Sequence, residues 1–328
     1  MKTSSLFYKF FPVPEYMEMR AAGFDLSEVS LRFAELVPRG GELDLGDYGE
    51  IPVPPGTISL GRIQNADVLR ELLRKAKKEH RIKFVRLSLP ESYAYHVEME
   101  IAKVKKKELR ESIELQLEEY VPLKVSEVFF DYEIAEAPKQ RPGVLVAVVS
   151  VIPKDVVLSY AEVFASAGLT LVSVDADANA LARAVIPEGD PGTFMIIDMG
   201  RVKTGVYVVS RGLVRFASDI ETGANAGRGA VVPSDLSEEI NRHFVYWHAE
   251  KDKNGAPKEK IEKIILAGAE SGLSGFRDYL SRALFVPVEM ANIWTNVFSF
   301  DDRIPELDYR DSLRFGTAIG LALAVKHK

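Results

Sequence analysis

An apolar strand that closes on an aspartate, then a polar turn and two further apolar runs, occurs twice in this chain, at Asp25 and at Asp198. The first copy reads Ala21-Ala22-Gly23-Phe24-Asp25-Leu26, turns at Ser27-Glu28 and continues through residues 29–36. The second reads Phe194-Met195-Ile196-Ile197-Asp198-Met199-Gly200, continues through residues 204–209, turns at Ser210-Arg211-Gly212 and ends with residues 213–216. Self-similarity at so long a spacing points to a duplicated, two-lobed fold. The 328 residues suffice for about two domains at roughly 150 residues each. With 47% hydrophobic and 27% charged residues, a disordered, collagen-like or coiled-coil chain is excluded. The net charge of −6 argues against a general nucleic-acid binder. The absence of cysteine excludes disulfides, thiolate nucleophiles and cysteine-ligated metal clusters.

Residues 1–20 form an aromatic leader, Leu6-Phe7-Tyr8-Lys9-Phe10-Phe11, closed by Pro12 and Pro14. It lacks the apolar stretch and cleavage site of a signal peptide, so a cytoplasmic chain is expected. The leader packs on the protein or stays mobile, with contact to a membrane surface as the lesser alternative. No apolar run approaches the ~18 residues of a membrane-spanning helix. The Pro/Gly-rich stretch 37–61 carries short strands, and Asn65 or Asp67 caps a helix reaching about Glu79. Residues 83–167 read as a strand–strand–helix–strand–strand–helix subdomain, in which Leu109, Ile113, Leu117 and Tyr120 share one helix face. A strand over 169–175 and an alanine-rich helix over 176–185 precede a linker at 187–192. After the second Asp-turn unit come a loop with Gly223, Gly227 and Gly229, a helix over 236–249, a charged loop over 250–260 and a strand over 261–267. A helix over 275–284, a strand over 286–290 and a last helix over 311–326 complete an α/β pattern.

An aspartate at the carboxyl end of each of two equivalent strands suits a nucleotide site between two lobes. Carboxylates there hold Mg²⁺ and its waters, while turn amides and hydroxyls bind phosphate oxygens. Asp198 and Gly200, with Lys203, Thr204 and Gly205, form the richer turn; Gly200 allows close backbone approach and Thr204 offers a hydroxyl. The first turn offers Asp25, Ser27 and Ser30 without a glycine, and Glu28 adds negative charge. Asp177 is a third carboxylate, suited to positioning a water or, alternatively, to capping the helix that follows. Gly268-Ala269 ends a buried strand and could face an adenosine. Each feature also has a plainer reading as an ordinary turn or strand-to-helix loop. His243 and His248 do not share a helix face as a metal pair would. No P-loop, dinucleotide fingerprint or nucleophile elbow occurs. The run Lys103, Lys105, Lys106 and Lys107 reads as a solvated helix start, with an acidic or lipid partner as the alternative.

The segment Phe10-Phe11-Pro12-Val13-Pro14-Glu15-Tyr16 leading into Gly23-Phe24-Asp25-Leu26-Ser27 resembles the opening of the PilM family of type IV pilus assembly proteins. So do Lys107-Glu108-Leu109-Arg110-Glu111-Ser112-Ile113, Glu119-Tyr120-Val121-Pro122-Leu123 and Glu127-Val128-Phe129-Phe130-Asp131-Tyr132, together with Asn179-Ala180-Leu181-Ala182-Arg183-Ala184, Leu266-Ala267-Gly268 and Gly316-Thr317-Ala318-Ile319-Gly320. The resemblance implies an actin/hexokinase-type, ribonuclease H-like duplicated fold with a small inserted α+β subdomain. It divides the chain into leader 1–20, first lobe 21–82, insertion 83–168, first lobe again 169–190, second lobe 191–310 and a C-terminal helix 311–328 returning to the first lobe. It also implies ATP with Mg²⁺ between the lobes, Asp25 and Asp198 toward the metal, a homo-oligomeric ring, and a groove near the insertion for the cytoplasmic tail of a PilN-like membrane protein, which holds the chain at the inner membrane. Ser27 stands where the family carries glycine, and only a short loop joins Gly223 to Leu236 where a larger helical cap is expected. Those departures imply a reduced second-lobe cap and at most weak ATPase activity. A small-molecule phosphotransferase of the same fold would need a catalytic base, for which Asp177 is the candidate. An FtsA-like cell-division protein would need a C-terminal amphipathic helix, for which the expected last helix leaves no room.

Overall fold

The computed structural model describes residues 20–135, 143–221, 234–251, 257–301 and 303–323. Expectations for the aromatic leader, the loop with Gly223, Gly227 and Gly229, the middle of the charged loop and the last residues of the final helix lie outside these. The first lobe opens with β1 (Ala22–Leu26), β2 (Ser30–Arg39) and β3 (Glu42–Pro52), an antiparallel meander. Of the short strands expected within 37–61, the stretch around residues 49–53 belongs to a strand of 11 residues, Glu42–Pro52. Gly40 and Gly41, both at positive φ, turn the chain tightly enough for pairing to begin at Arg39 opposite Glu42. Pro38 is tolerated because that end of β2 extends past its pairing with β1.

A small β4 (Ile58–Ser59) and β5 (Arg62–Ile63) lead to α1 (Ala66–His80). Of the two candidate caps Asn65 is the N-cap, its side chain accepting from the Val68 N–H at 3.2 Å, while Asp67 lies in the first turn. Leu69, Leu72, Leu73 and Ala76 form the buried stripe. Replacing Asn65 with alanine should cost about 1 kcal/mol, readable as a lower melting temperature with unchanged helix content at room temperature.

β6 (Phe84–Leu89) runs parallel to β1, and β10 (Thr170–Ala176) runs parallel to β6, giving a five-stranded sheet in the order β10-β6-β1-β2-β3. Between them the chain builds β7 (Tyr95–Ala102), α2 (Leu109–Leu117), β8 (Val128–Ala135), β9 (Val144–Pro153) and α3 (Lys154–Ser166). Only part of this is a separate unit. β7, β9 and β8 form an antiparallel sheet covered by Leu109, Ile113 and Leu117 of α2. By contrast, Val156, Tyr160, Val163 and Phe164 of α3 pack with Phe24, Phe33, Leu69 and Leu73 in the first-lobe core. The compact unit read over 83–167 is thus narrower than its strand and helix pattern suggested. β6 and α3 belong to a β6–α3–β10 crossover, the connection that parallel strands require, and the three-stranded sheet is inserted into it.

The second lobe repeats the plan with β11 (Thr193–Met199), β12 (Thr204–Ser210), β13 (Leu213–Ile220), β14 (Lys263–Ala267) and β15 (Val288–Met290), in the order β13-β12-β11-β14-β15. Each sheet therefore consists of a meander followed by two parallel strands. Before it comes α4 (Asp177–Val185), and within it α5 (Ser234–Ala249) and α6 (Phe276–Leu284). The last helix, expected as one piece from Asp311, is broken. A single turn α7 (Tyr309–Ser312) and a 3-10 turn lead into α8 (Gly316–Ala322), every residue of which is buried. Its Ala318 and Ile319 share one core with Ala178 and Leu181 of α4, Ala34 of β2 and Ile196, Tyr207 and Val209 of the second sheet. That shared core brings the carboxyl ends of the two central strands together. The insertion touches the second lobe as well: Leu213 packs on Ala135, Val146 and Val148, and Arg215 Nη1 lies 2.9 Å from Glu98 Oε2.

Candidate functional site

Asp25 and Asp198 occupy matching places in the two meanders, and their cross-strand neighbours differ in a telling way. Asp25 sits opposite Arg32, whereas Asp198 sits opposite Gly205. In the first lobe an arginine side chain stands there; in the second the Tyr207 ring takes the space, with its hydroxyl 2.1 Å from where a Cβ on Gly205 would be. Arg32 Nη1 lies 3.5 Å from Asp25 Oδ2, and its Nε donates to Glu50 Oε1 at 3.0 Å. Glu50 in turn meets Arg314 Nη1 at 3.2 Å. In the second lobe the turn closes on itself, because the Gly200 N–H donates both to Asp198 O at 3.1 Å and to Lys203 O at 3.0 Å. Gly268, at φ +90°, lies against this turn; a Cβ there would stand 2.4 Å from Asp198 Oδ1 and 2.6 Å from Met199 O. Only glycine accepts both that backbone conformation and that approach.

Lys203 is the centre of the cluster. Its Nζ lies 2.8 Å from Asp219 Oδ2 on β13 and 3.6 Å from Asp177 Oδ2 at the start of α4. Asp177 does not cap its helix: the N-cap position is Ala176, with no side-chain bond. Burial raises the Asp177 pKa well above the ordinary aspartate range against the pull of Lys203, and Asp25 adds to the rise. Burial, with Asp25 nearby, pushes Asp198 up to about 6. Burial likewise raises Asp25, although Arg32 and Lys203 draw it down. For Lys203 burial works toward a lower value, but Asp177 and Asp219 outweigh it and the ammonium stays charged. One lysine thus faces carboxylates from both lobes, and the pocket of charge is left net acidic.

The other residues singled out in sequence contribute less. Ser27 and Ser30 satisfy each other: the Ser30 N–H donates to Ser27 Oγ at 3.1 Å, and Ser27 Oγ donates to Ser30 O at 3.0 Å. Thr204 and Gly205 are buried in the β11–β12 ladder. Ala269 is half-buried in a turn that Ser271 closes by donating Oγ–H to Gly268 O at 2.8 Å. His248 Nδ1 stands 2.9 Å from Phe244 O within its own helix. Among the described residues no group of three or more His, Asp or Glu is placed to hold a metal ion. Sequence reasoning missed Arg32, Glu50 and Asp219. Arg32 was hidden by the turn itself, since a two-residue turn at Ser27-Glu28 would set Ser30 opposite Asp25, whereas pairing begins with Leu26 opposite Leu31 and so sets Arg32 there; Asp219 depends on the β12–β13 register, which shifts between Val208 and Val209.

The chain matches a family model described as type IV pilus assembly protein PilM over residues 23–232. Among solved structures it superposes with a TM-score of 0.76 on a chain of a PilM-PilN type IV pilus biogenesis complex, at 20% identity over 93% of this chain and 98% of that one. Ethanolamine utilization protein EutJ from Carboxydothermus hydrogenoformans gives 0.46 at 16% identity, over 95% and 91% of the two chains. The cytoplasmic domain of EpsL, an inner membrane component of the type II secretion system of Vibrio cholerae, gives 0.43 at 13%, over 76% and 82%. The repeated strand order and the first superposition establish the actin-like, duplicated two-lobed fold with an inserted subdomain.

Proposed function

Since the chain belongs to the PilM family of type IV pilus assembly proteins, we propose that it is the cytoplasmic actin-like scaffold of a type IV pilus-like machine. In this reading it holds the tail of a PilN-like membrane protein in a groove beside the insertion, forms a ring of copies, and takes ATP with Mg²⁺ between its lobes as a conformational ligand. The observation that carries the partner is the superposition over 98% of a chain whose own structure is a complex with PilN. Among the described residues no helix is long and apolar enough to cross a membrane, so attachment to the inner membrane would run through that partner.

The cleft fits the cation half of a nucleotide better than the phosphate half. Carboxylates whose pKa values are raised by burial, as at Asp25, Asp177 and Asp198, are relieved by a nearby positive charge. Asp25 and Asp198 would hold Mg²⁺ through waters and phosphate oxygens, because two carboxylates alone make no complete cage. Bound Mg²⁺ would supply the positive charge that lets phosphate approach an acidic site. Lys203 would turn part of its charge from Asp177 and Asp219 toward the phosphates. Gly200, Ser27 and Ser30 already use their donors within their own turns, which supports conformational use of ATP over turnover. Asp177 would be the carboxylate that orients a water, for at most weak hydrolysis. The phosphotransferase and FtsA-like alternatives are not favoured by the family match.

Two measurements test the reading. Calorimetric titration with a synthetic peptide of the PilN-like tail from the same genome should show saturable binding, and no heat with folded protein would refute the partner. ATP–Mg²⁺ at a hundredfold excess over its Kd should stabilise the protein by about 2.7 kcal/mol, and Asp198→Ala should remove that increment. No increment in the wild-type protein would mean that the cleft takes no nucleotide.

A further inference from the structure

The chain leaves the first sheet for the insertion through Pro90 and one 3-10 turn, Glu91–Tyr93. Glu91 points inward there, its side chain 1% exposed, and the His96 side chain beside it is 3% exposed. A carboxylate so buried is tolerated only when its oxygens are partnered, and the partners of Glu91 lie on opposite sides of a junction. Its Oε1 accepts from the Ala178 N–H at 2.7 Å, in the first turn of α4 and next to Asp177. Its Oε2 lies 2.9 Å from His96 Nε2 on β7, the entry strand of the insertion.

The contact continues on both sides. His96 Nδ1 stands 3.2 Å from Ser150 Oγ on β9, and Asn179 Nδ2 of α4 donates to that same hydroxyl at 3.2 Å and to Asp175 Oδ1 at 3.0 Å. Arg183 donates to Asp175 Oδ2 at 2.6 Å and to Gly320 O of α8 at 2.7 Å. One run of polar contacts, buried at Glu91 and partly buried beyond it, therefore links the base of the insertion, α4 and the helix shared by both lobes. Helices usually satisfy their first amides with a residue at the N-cap itself. Here α4 has no such side chain and takes the acceptor from the segment that enters the insertion. The start of α4, which carries Asp177, and the entry strand of the insertion are thereby joined through one side chain.

We propose that Glu91 is a positioning residue that couples the interlobe cleft to the insertion. Ligand that redistributes Lys203 between Asp177 and Asp219 shifts the first turn of α4, and Glu91 with Ser150 passes the shift to β7 and β9. The proposal rests on the reading that the cleft takes ATP–Mg²⁺ and that the tail binds beside the insertion. Such coupling is reciprocal: each ligand changes the affinity of the other by one common factor.

The test is a titration of the synthetic tail peptide with and without saturating ATP–Mg²⁺, on the full chain and on Glu91→Ala, Glu91→Gln and Ser150→Ala. In the wild-type chain nucleotide should change the tail affinity by about fivefold or more. Glu91→Ala and the milder Ser150→Ala should bind each ligand alone yet show a factor below about twofold, the low side of measurable coupling. Glu91→Gln, whose amide can still accept from Ala178 and donate to His96, should keep the factor. A folded Ser150→Ala or Glu91→Ala chain with the wild-type factor overturns the proposal, as does a wild-type chain that binds both ligands with no mutual effect. If the wild-type chain fails to bind ATP–Mg²⁺ or peptide alone, the single-ligand titrations show it, and the functional reading falls together with the coupling.

Discussion

Replacing Gly320 with alanine is expected to cost about 3 kcal/mol of stability, at the upper end of what overpacking a tight core costs. A Cβ at this position would stand 1.7 Å from Ala180 O and 2.6 Å from Ala180 C. Both are backbone atoms, so no rotamer change makes room; α8 and α4 must move apart. They cannot do so freely, because on its other side α8 is pressed against β1, where a Cβ on Gly23 would meet Ala318 O at 1.9 Å. At two to four degrees per kcal/mol, the expected fall in melting temperature is roughly 6–12 °C. Gly143→Ala is the control: its Cβ would meet nothing within 4 Å, and its effect should stay within about 0.5 kcal/mol. Equal melting temperatures for the two variants would show that the α4–α8 crossing is looser than described.

The second large effect is electrostatic. Lys203→Met keeps most of the side chain's volume but removes the charge that faces Asp177 and Asp219. The Lys203 side chain is 36% exposed, so solvent screens part of its charge and deleting it should cost less than the about 3–5 kcal/mol of a fully buried pair, although the carboxylates left behind lie in a cleft that resists ionisation. The pH dependence follows from the raised values of Asp25, Asp177 and Asp198, each of which Lys203 draws down. Asp198 has a folded pKa of about 6 against the ordinary 3.8. A raised carboxylate binds more protons folded than unfolded, so its contribution is fully present below about 4 and is lost as pH rises through about 6. Without Lys203, which holds these values down, the carboxylates should climb further and the window should move up. The variant should therefore lie furthest below wild type at pH 7.5 and recover much of the gap at pH 5. Denaturant melts at the two pH values measure this. A gap that is constant with pH would mean that the loss came from packing alone.

Much of this site was legible in the order of residues. Asp25 and Asp198 stood out because a strand, its terminal aspartate and the turn after it are neighbours in sequence, and the pattern occurs twice. Asp177 was visible as a carboxylate at a helix start, but its role was not: its partner Lys203 arrives from the other lobe. Ser27 and Ser30 were plausible phosphate donors on residue type alone, and the folded turn uses their hydrogen bonds internally. Glu91 carried no signal at all, since a Pro-Glu-Ser-Tyr turn is unremarkable until Ala178 and His96 close on it.

The division has a physical basis. Alternation, helical spacing, caps and turns are local, so the strand and helix types, a cap at Asn65 or Asp67 and the duplication of the Asp-turn unit follow from the chain alone. Which sheet a strand joins is a matter of distant pairing. β6 and α3 read as part of the insertion, yet they belong to the first lobe because β1 and β10 flank β6 and the core formed with Phe24 and Leu69 takes in α3. The same holds for charge: a lysine and several aspartates spread along the sequence become one acidic cleft only when α8 draws the two lobes onto a shared core and buries them together.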